Sequence, residues 1–125
     1  IMHQAKKQFG QNFLSDPYYL DQIVAVMAPC GEDDLVEIGP GKGALTKELV
    51  LSQPKSLTLV ELDRDLIPML RQKFADKSIT ILEEDALQLD YASLVPQHAK
   101  LKIVGNLPYN ISTPLLFHLA QYNAY

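Results

Sequence analysis

Apolar positions along the chain follow two different periods. Leu20, Ile23, Val24 and Met27 recur at helical spacing. They follow Ser15-Asp16-Pro17, a capping residue and then a proline suited to a first turn. Pro29-Cys30-Gly31 predicts the end of that helix. Short apolar runs then predict strands at Leu35 to Ile38, Leu57 to Val60, Ile79 to Leu82 and Leu101 to Val104. Helices are predicted from Leu45 to Leu51 and from Asp65 to Phe74. The second tolerates Pro68 only if that residue lies in its first turn. Residues 86–98 read as a connection with one helical turn near Tyr91 to Val95. A last helix is predicted from Pro114 to Tyr122, capped by Ser112 or Thr113.

Strands that alternate with helices imply an α/β fold, with a parallel sheet and helices on both faces. Right-handed crossovers place the first strand near the centre, beside the topological switch point. Ligands are then expected at the C-terminal ends of the strands. No repeat, low-complexity tract or interdomain linker interrupts the pattern. The fourth strand's outer edge would be bare, whereas open sheets of this kind usually have more strands. Residues 1–125 are therefore expected to be the N-terminal part of a larger catalytic domain.

The composition changes this picture little. The chain has 125 residues, 47% apolar and 21% charged, as expected for one globular domain with one core. No apolar run approaches the ~18 residues of a membrane span, and no signal-like segment precedes Lys6 and Lys7. The single Cys30 cannot form an internal disulfide, which suits a reducing cytoplasm. The net charge of −4 counts against an extensive nucleic-acid surface, because phosphate contacts come from Lys and Arg.

The chemistry begins at Glu37-Ile38-Gly39-Pro40-Gly41-Lys42-Gly43, which fits E-x-G-x-G-x-G between a strand and a helix. Glycines permit a sharp turn and close approach of a ligand. A phosphate loop is excluded, because Gly43 follows Lys42 where that motif needs Ser or Thr. Gly39, Gly41 and Ala44 do satisfy the dinucleotide pattern, with Glu61 20 residues beyond Gly41. Glu37 speaks against it. A carboxylate there would repel a pyrophosphate and attract the sulfonium and amino group of S-adenosylmethionine. From the loop alone a methyltransferase, a dinucleotide enzyme and a structural turn all stay open. Glu61 and Asp85 stand at successive strand ends. Glu61 could accept from both ribose hydroxyls, and Asp85 from an adenine amine. The plain alternative is that both are solvated turn residues.

The stretch Leu101 to Ser112, LKIVGNLPYNIS, runs from a strand into Asn106, Leu107, Pro108 and Tyr109. Asn106 offers an amide oxygen. Pro108 has no N–H and restricts the local backbone, so the Leu107 carbonyl can face a ligand. Tyr109 offers a flat ring. An exocyclic adenine amine fits this set: two acceptors hold its hydrogens, and the ring stacks on the base for about 1–3 kcal/mol. Such a base must first leave its stack. Asn and Pro are also ordinary turn residues.

Taken together, Phe9 to Leu14, Val36 to Gly41, Glu61 to Asp65, Glu84 to Ala86 and Gly105 to Pro114 resemble the rRNA adenine N6-dimethyltransferases, most closely the bacterial small-subunit enzymes. The resemblance implies a Rossmann-like, class I methyltransferase fold. It implies S-adenosylmethionine-dependent dimethylation of two adjacent adenines near the 3′ end of small-subunit (16S) rRNA, within an assembling ribosomal particle, by a cytoplasmic monomer. It assigns Asn12 and Leu14 to closure over the donor, Gly39 to its methionine part, Glu61 to its ribose and Asp85 to its adenine. Gly41, in the same loop, is likewise assigned to binding the donor. Asn106, Leu107, Pro108 and Tyr109 form the target-base site, with Asn106 beside the donor. The family continues with further strands, an aromatic that flanks the target base and a helical domain. The 125 residues alone are therefore expected to bind the donor weakly and not to turn over. Leu107 and residues 112–117 separate the chain modestly from the large-subunit, macrolide-resistance methylases. That type of enzyme and a non-catalytic RNA-binding assembly factor are the alternatives.

The remaining candidates have plain readings. His3, His98 and His118 lack metal-ligand spacing. Cys30 reads as a small apolar residue, Lys6 and Lys7 as a solvated tail or phosphate contacts, and Tyr18 and Tyr19 as packing on the first helix.

Overall fold

The computed structural model describes residues 16–94 and 101–105. The first helix, α1, is Pro17–Met27. Asp16 caps it, with Oδ1 accepting the Tyr18 N–H at 2.9 Å, and Pro17 needs no donor in the first turn. Ala28 ends it in the left-handed region at φ 46°, its N–H bonded to the Val24 carbonyl, one residue before the expected Pro29.

Strands β1 (Asp34–Ile38), β2 (Ser56–Val60), β3 (Thr80–Leu82) and β4 (Leu101–Gly105) alternate with helices α2 (Ala44–Leu51) and α3 (Ile67–Lys73), and with a 3₁₀ turn at Tyr91–Leu94. Each lies within two residues of its expected bounds. Pro68 falls in the first turn of α3, the one place a helix accepts it. The helix expected at Pro114 to Tyr122 lies outside the described residues.

All pairings are parallel, in the order β3-β2-β1-β4. This is the α/β architecture read from the sequence, with β1 between β2 and β4. The chain runs one way from β1 through β2 to β3, then returns to β4 on the other side of β1. That reversal is the switch point, and it opens a crevice beyond the C-terminal end of β1.

Side chains alternate between two cores. Leu35, Leu57 and Leu59 face α2 and α3, packing with Leu45, Leu49, Leu70 and Phe74. Leu20, Ile23, Val24 and Met27 of α1 join that layer. Val36, Ile38 and Val60 face the opposite way and are covered by Ala86, Leu89 and Tyr91. Leu35, Leu49, Leu59 and Leu70 are fully buried, each stabilising by roughly 1.5–3 kcal/mol. Tyr91 is also buried, and its hydroxyl donates to the Ala86 carbonyl at 2.8 Å, as a buried phenol must.

One expectation is corrected. Tyr18 is 64% exposed; the N-terminal turn leaves its ring outside the core, where its hydroxyl accepts from Gln22 Nε2 at 2.8 Å. Cys30 lies exposed in the loop after α1, its N–H donating to Asp33 Oδ2 at 2.8 Å. No helix among the described residues is long and apolar enough to cross a membrane.

Candidate functional site

The strand register decides where the site forms. Ile38 lies level with Val60 and Gly105, and Val60 with Leu82. The residues that follow these strands therefore emerge at one edge of the sheet. Gly39 continues the ladder by donating to the Val60 carbonyl at 2.9 Å, and Glu61 by donating to the Leu82 carbonyl at 3.0 Å.

The glycine loop turns through three left-handed residues, Gly39 at φ 67°, Gly41 at 58° and Gly43 at 89°. Gly41 and Gly43 serve different ends. A Cβ at Gly43 would lie 2.9 Å from Phe74 Cε2, so this glycine lets the loop pack against α3's end. A Cβ at Gly41 would meet nothing within 4 Å. The space over Gly41 is open, which suits close approach of a ligand.

Glu61 is 8% exposed and knits the loop to the end of β2. Its Oε2 accepts the Leu62 and Asp63 N–H groups at 3.0 and 3.1 Å. Its Oε1 accepts the Gly41 N–H at 3.3 Å, a long bond. The turn role expected for this carboxylate is thus seen directly, and its four lone-pair sites serve three N–H groups with acceptor capacity left over. Asp85 behaves similarly. It is half-buried, three residues beyond β3, and its Oδ1 accepts the Leu87 N–H at 2.9 Å. Glu83 and Glu84 are exposed, as expected, and Glu83 pairs with Arg64 at 3.2 Å.

Glu37 lies deeper than its motif suggests. It is 1% exposed, on the sheet face that also carries Leu35. Thr46 Oγ1, in the first turn of α2, donates to its Oε1 at 2.5 Å. Burial pushes the Glu37 carboxyl up to about 7; the Thr46 bond opposes this, and the negative charge of Glu61 adds to it. In the sequence alone Glu37 reads as a carboxylate that attracts a cation. The structure makes it an acid that titrates near neutrality. Thr46 was missed, since no local pattern links a helix threonine to a carboxylate nine residues earlier.

Of the expected donor-site residues, the structure brings together Gly39, Gly41 and Glu61, and sets Asp85 after β3. Asn12, Leu14, Asn106, Leu107, Pro108 and Tyr109 lie outside the described residues, as do His3, His98 and His118. No group of three or more potential metal ligands occurs among the described residues. The open backbone at Gly41 and a carboxylate with spare acceptor capacity fit a ligand with ribose hydroxyls.

The family model described as Ribosomal RNA adenine dimethylase matches residues 2–125. A Ribosomal RNA small subunit methyltransferase A from Marinobacter nauticus is 57% identical over 118 residues, 94% of this chain and 42% of the relative. Among solved structures, a dimethyladenosine transferase from Plasmodium falciparum matches with a TM-score of 0.74 at 25% identity, over 88% of this chain and 38% of that one. The 23S rRNA methyltransferase ErmE matches with a TM-score of 0.71 at 26% identity, over 82% of this chain and 40% of that one. The chain spans less than half the length of the curated relatives it matches.

Proposed function

The chain belongs to the ribosomal RNA adenine dimethylase family, and from that premise we propose that it carries the donor-binding part of an S-adenosylmethionine-dependent enzyme that dimethylates the N6 amines of two adjacent adenines in small-subunit rRNA. The observation that carries the reading is the junction of the open Gly41 backbone with Glu61 at the switch point. The small-subunit assignment rests on the 57% identity to a protein named for that substrate. The large-subunit alternative has 26% identity to ErmE behind it.

In this reading S-adenosylmethionine supplies a methyl group made electrophilic by its sulfonium. Glu61 holds the ribose hydroxyls, Asp85 the adenine amine, and the Gly39–Gly41 backbone leaves room for the methionine part. Asn12 and Leu14 close over the donor from the N-terminal segment. Asn106 and the Leu107 carbonyl accept the two hydrogens of the target amine. Pro108 restrains that turn, and Tyr109 stacks on the base. An adenine amine is a weak nucleophile because its lone pair is delocalised into the ring. Two acceptors that draw its hydrogens out of plane localise that pair toward the methyl group, so positioning carries much of the step. Residues 1–125 form the N-terminal part of the catalytic domain. The whole enzyme works as a monomer in the cytoplasm, on an assembling ribosomal particle.

The test is methyl transfer from radiolabelled donor to undermethylated small ribosomal subunits by the full-length protein. Incorporation at adenine N6 is expected, with loss in Asn106→Ala. An Asn106→Ala protein as active as wild type would overturn the role given to the Asn106–Tyr109 stretch. With large subunits offered in parallel, labelling confined to their rRNA would overturn the substrate.

A further inference from the structure

The proposed chemistry leaves Glu37 without a task. Glu37 is sealed in the core, with Thr46 as its one hydrogen-bond donor among the described residues. The charged groups on the surrounding elements do not neutralise it. Glu61, at the end of β2, brings a second negative charge. Lys102 of β4 is engaged toward the other end of the sheet, with Asp33 Oδ2 at 3.0 Å and the Met27 carbonyl at 2.9 Å. On α2, Lys47 is exposed and Glu48 half-buried, and on α3 Arg71 and Lys73 are exposed, the Lys73 ammonium donating to the Lys42 carbonyl at 2.7 Å. Asp21 on α1 and Lys42 in the loop are exposed. A carboxylate so placed is opposed by desolvation and by a like charge. The Thr46 hydroxyl can donate to Oε1 in either protonation state, so a proton on Glu37 sits on Oε2.

We propose that Glu37 is a proton-linked floor of the donor site: a cationic ligand seated on the glycine loop makes it release its proton to solvent, and a ligand without that charge lets it keep the proton. This rests on the donor reading above. The step is an ionisation in which the Oε2–H bond breaks, the electron pair stays on oxygen and the proton passes to solvent. Both S-adenosylmethionine and S-adenosylhomocysteine, the product left by methyl transfer, carry the amino group, and only the first carries the sulfonium, so the difference between the two reads the sulfonium charge. Glu37 therefore ionises as donor enters and regains its proton once the methyl has gone, and the site's charge follows that of its occupant. Thr46 is a positioning residue for this cycle, holding Oε1 so that Oε2 carries the proton.

Linkage gives the expected size. With a ligand-free midpoint of about 7, donor affinity falls about tenfold from pH 8 to pH 6, while product affinity falls less. Two measurements on the full-length protein test this. Carbon-detected NMR of the ligand-free protein follows the Glu37 carboxyl. A midpoint near 7, moved upward in Thr46→Val and restored in Thr46→Ser, is expected. A midpoint among the ordinary glutamates overturns the proposal. Calorimetry in two buffers of different ionisation enthalpy counts protons on adding S-adenosylmethionine or S-adenosylhomocysteine. Greater release with the first, and no difference between the two in Glu37→Gln, is expected. Donor binding without proton release or pH dependence overturns the linkage alone. No donor binding at any pH, with Glu37 titrating near 7, overturns the donor reading together with the linkage built on it.

Discussion

The backbone N–H of Gly41 donates to Glu61 Oε1 at 3.3 Å across 20 residues of sequence. That bond joins the glycine loop to the end of the neighbouring strand, so the loop's shape and the carboxylate's aim are set together. Both residues sit where β1 and β2 end level with one another.

Glu61→Gln is expected to weaken donor binding by roughly 10–100-fold, the loss of a charged hydrogen bond worth about 1.5–3 kcal/mol. The variant keeps an acceptor for the Leu62 and Asp63 N–H groups, so it should remain folded. Calorimetric titration alongside circular dichroism checks both halves. Unchanged affinity would remove Glu61 from the site.

The two loop glycines should fail differently. Gly43→Ala meets a left-handed φ and the Phe74 ring, and should lose about 2–4 kcal/mol of stability from backbone strain and overpacking. Gly41→Ala meets the left-handed φ alone, costing about 1–2 kcal/mol. Its methyl group projects into the ligand space, so donor affinity should drop at least tenfold by steric exclusion. Denaturant melts and binding isotherms on both variants separate packing from recognition.

Glu37 has a stability signature of its own. Its carboxyl is raised from 4.5 to about 7 in the folded chain, so between those values the folded state holds a proton that the unfolded state has lost. The favourable contribution is full below the unfolded value and disappears as pH rises through the folded one. It amounts to about 3 kcal/mol in all. Glu37→Gln removes this dependence. It should match wild type near about pH 4.5 and exceed it by up to about 3 kcal/mol near about pH 8. Urea unfolding at the two pH values reads the difference, and a pH-independent difference would argue against a protonated Glu37.

Lys102 and Asp33 titrate in the opposite sense. The Lys102 ammonium, with the Cys30 N–H, holds the Asp33 carboxyl below its ordinary value. The same ammonium caps the end of α1 through the Met27 and Ala28 carbonyls. The pair's contribution is present above the unfolded carboxylate value and lost as pH falls through the depressed one. Lys102→Met should lower the thermal midpoint at neutral pH, and the gap from wild type should narrow in acid. An equal gap at both would assign the effect to packing of the lysine stem.

The elements, their order and the parallel sheet were legible in the sequence, because period and punctuation are local properties. Asp16 and Pro17 mark a helix start, and Gly39, Gly41 and Gly43 mark a turn that only left-handed residues can make. The central place of β1 followed from right-handed crossovers. The candidate acids at the strand ends were legible as residue types. Tertiary structure alone decided what those residues do to one another. Thr46 meets Glu37 because α2 packs on the face that Glu37 shares with Leu35. Glu61 reaches Gly41 because two strands end level. Glu37 holds a proton near neutrality because the core excludes water around it and Glu61 stands close by. A charge state depends on the surroundings in space, and a motif read along the chain specifies only the neighbours in sequence.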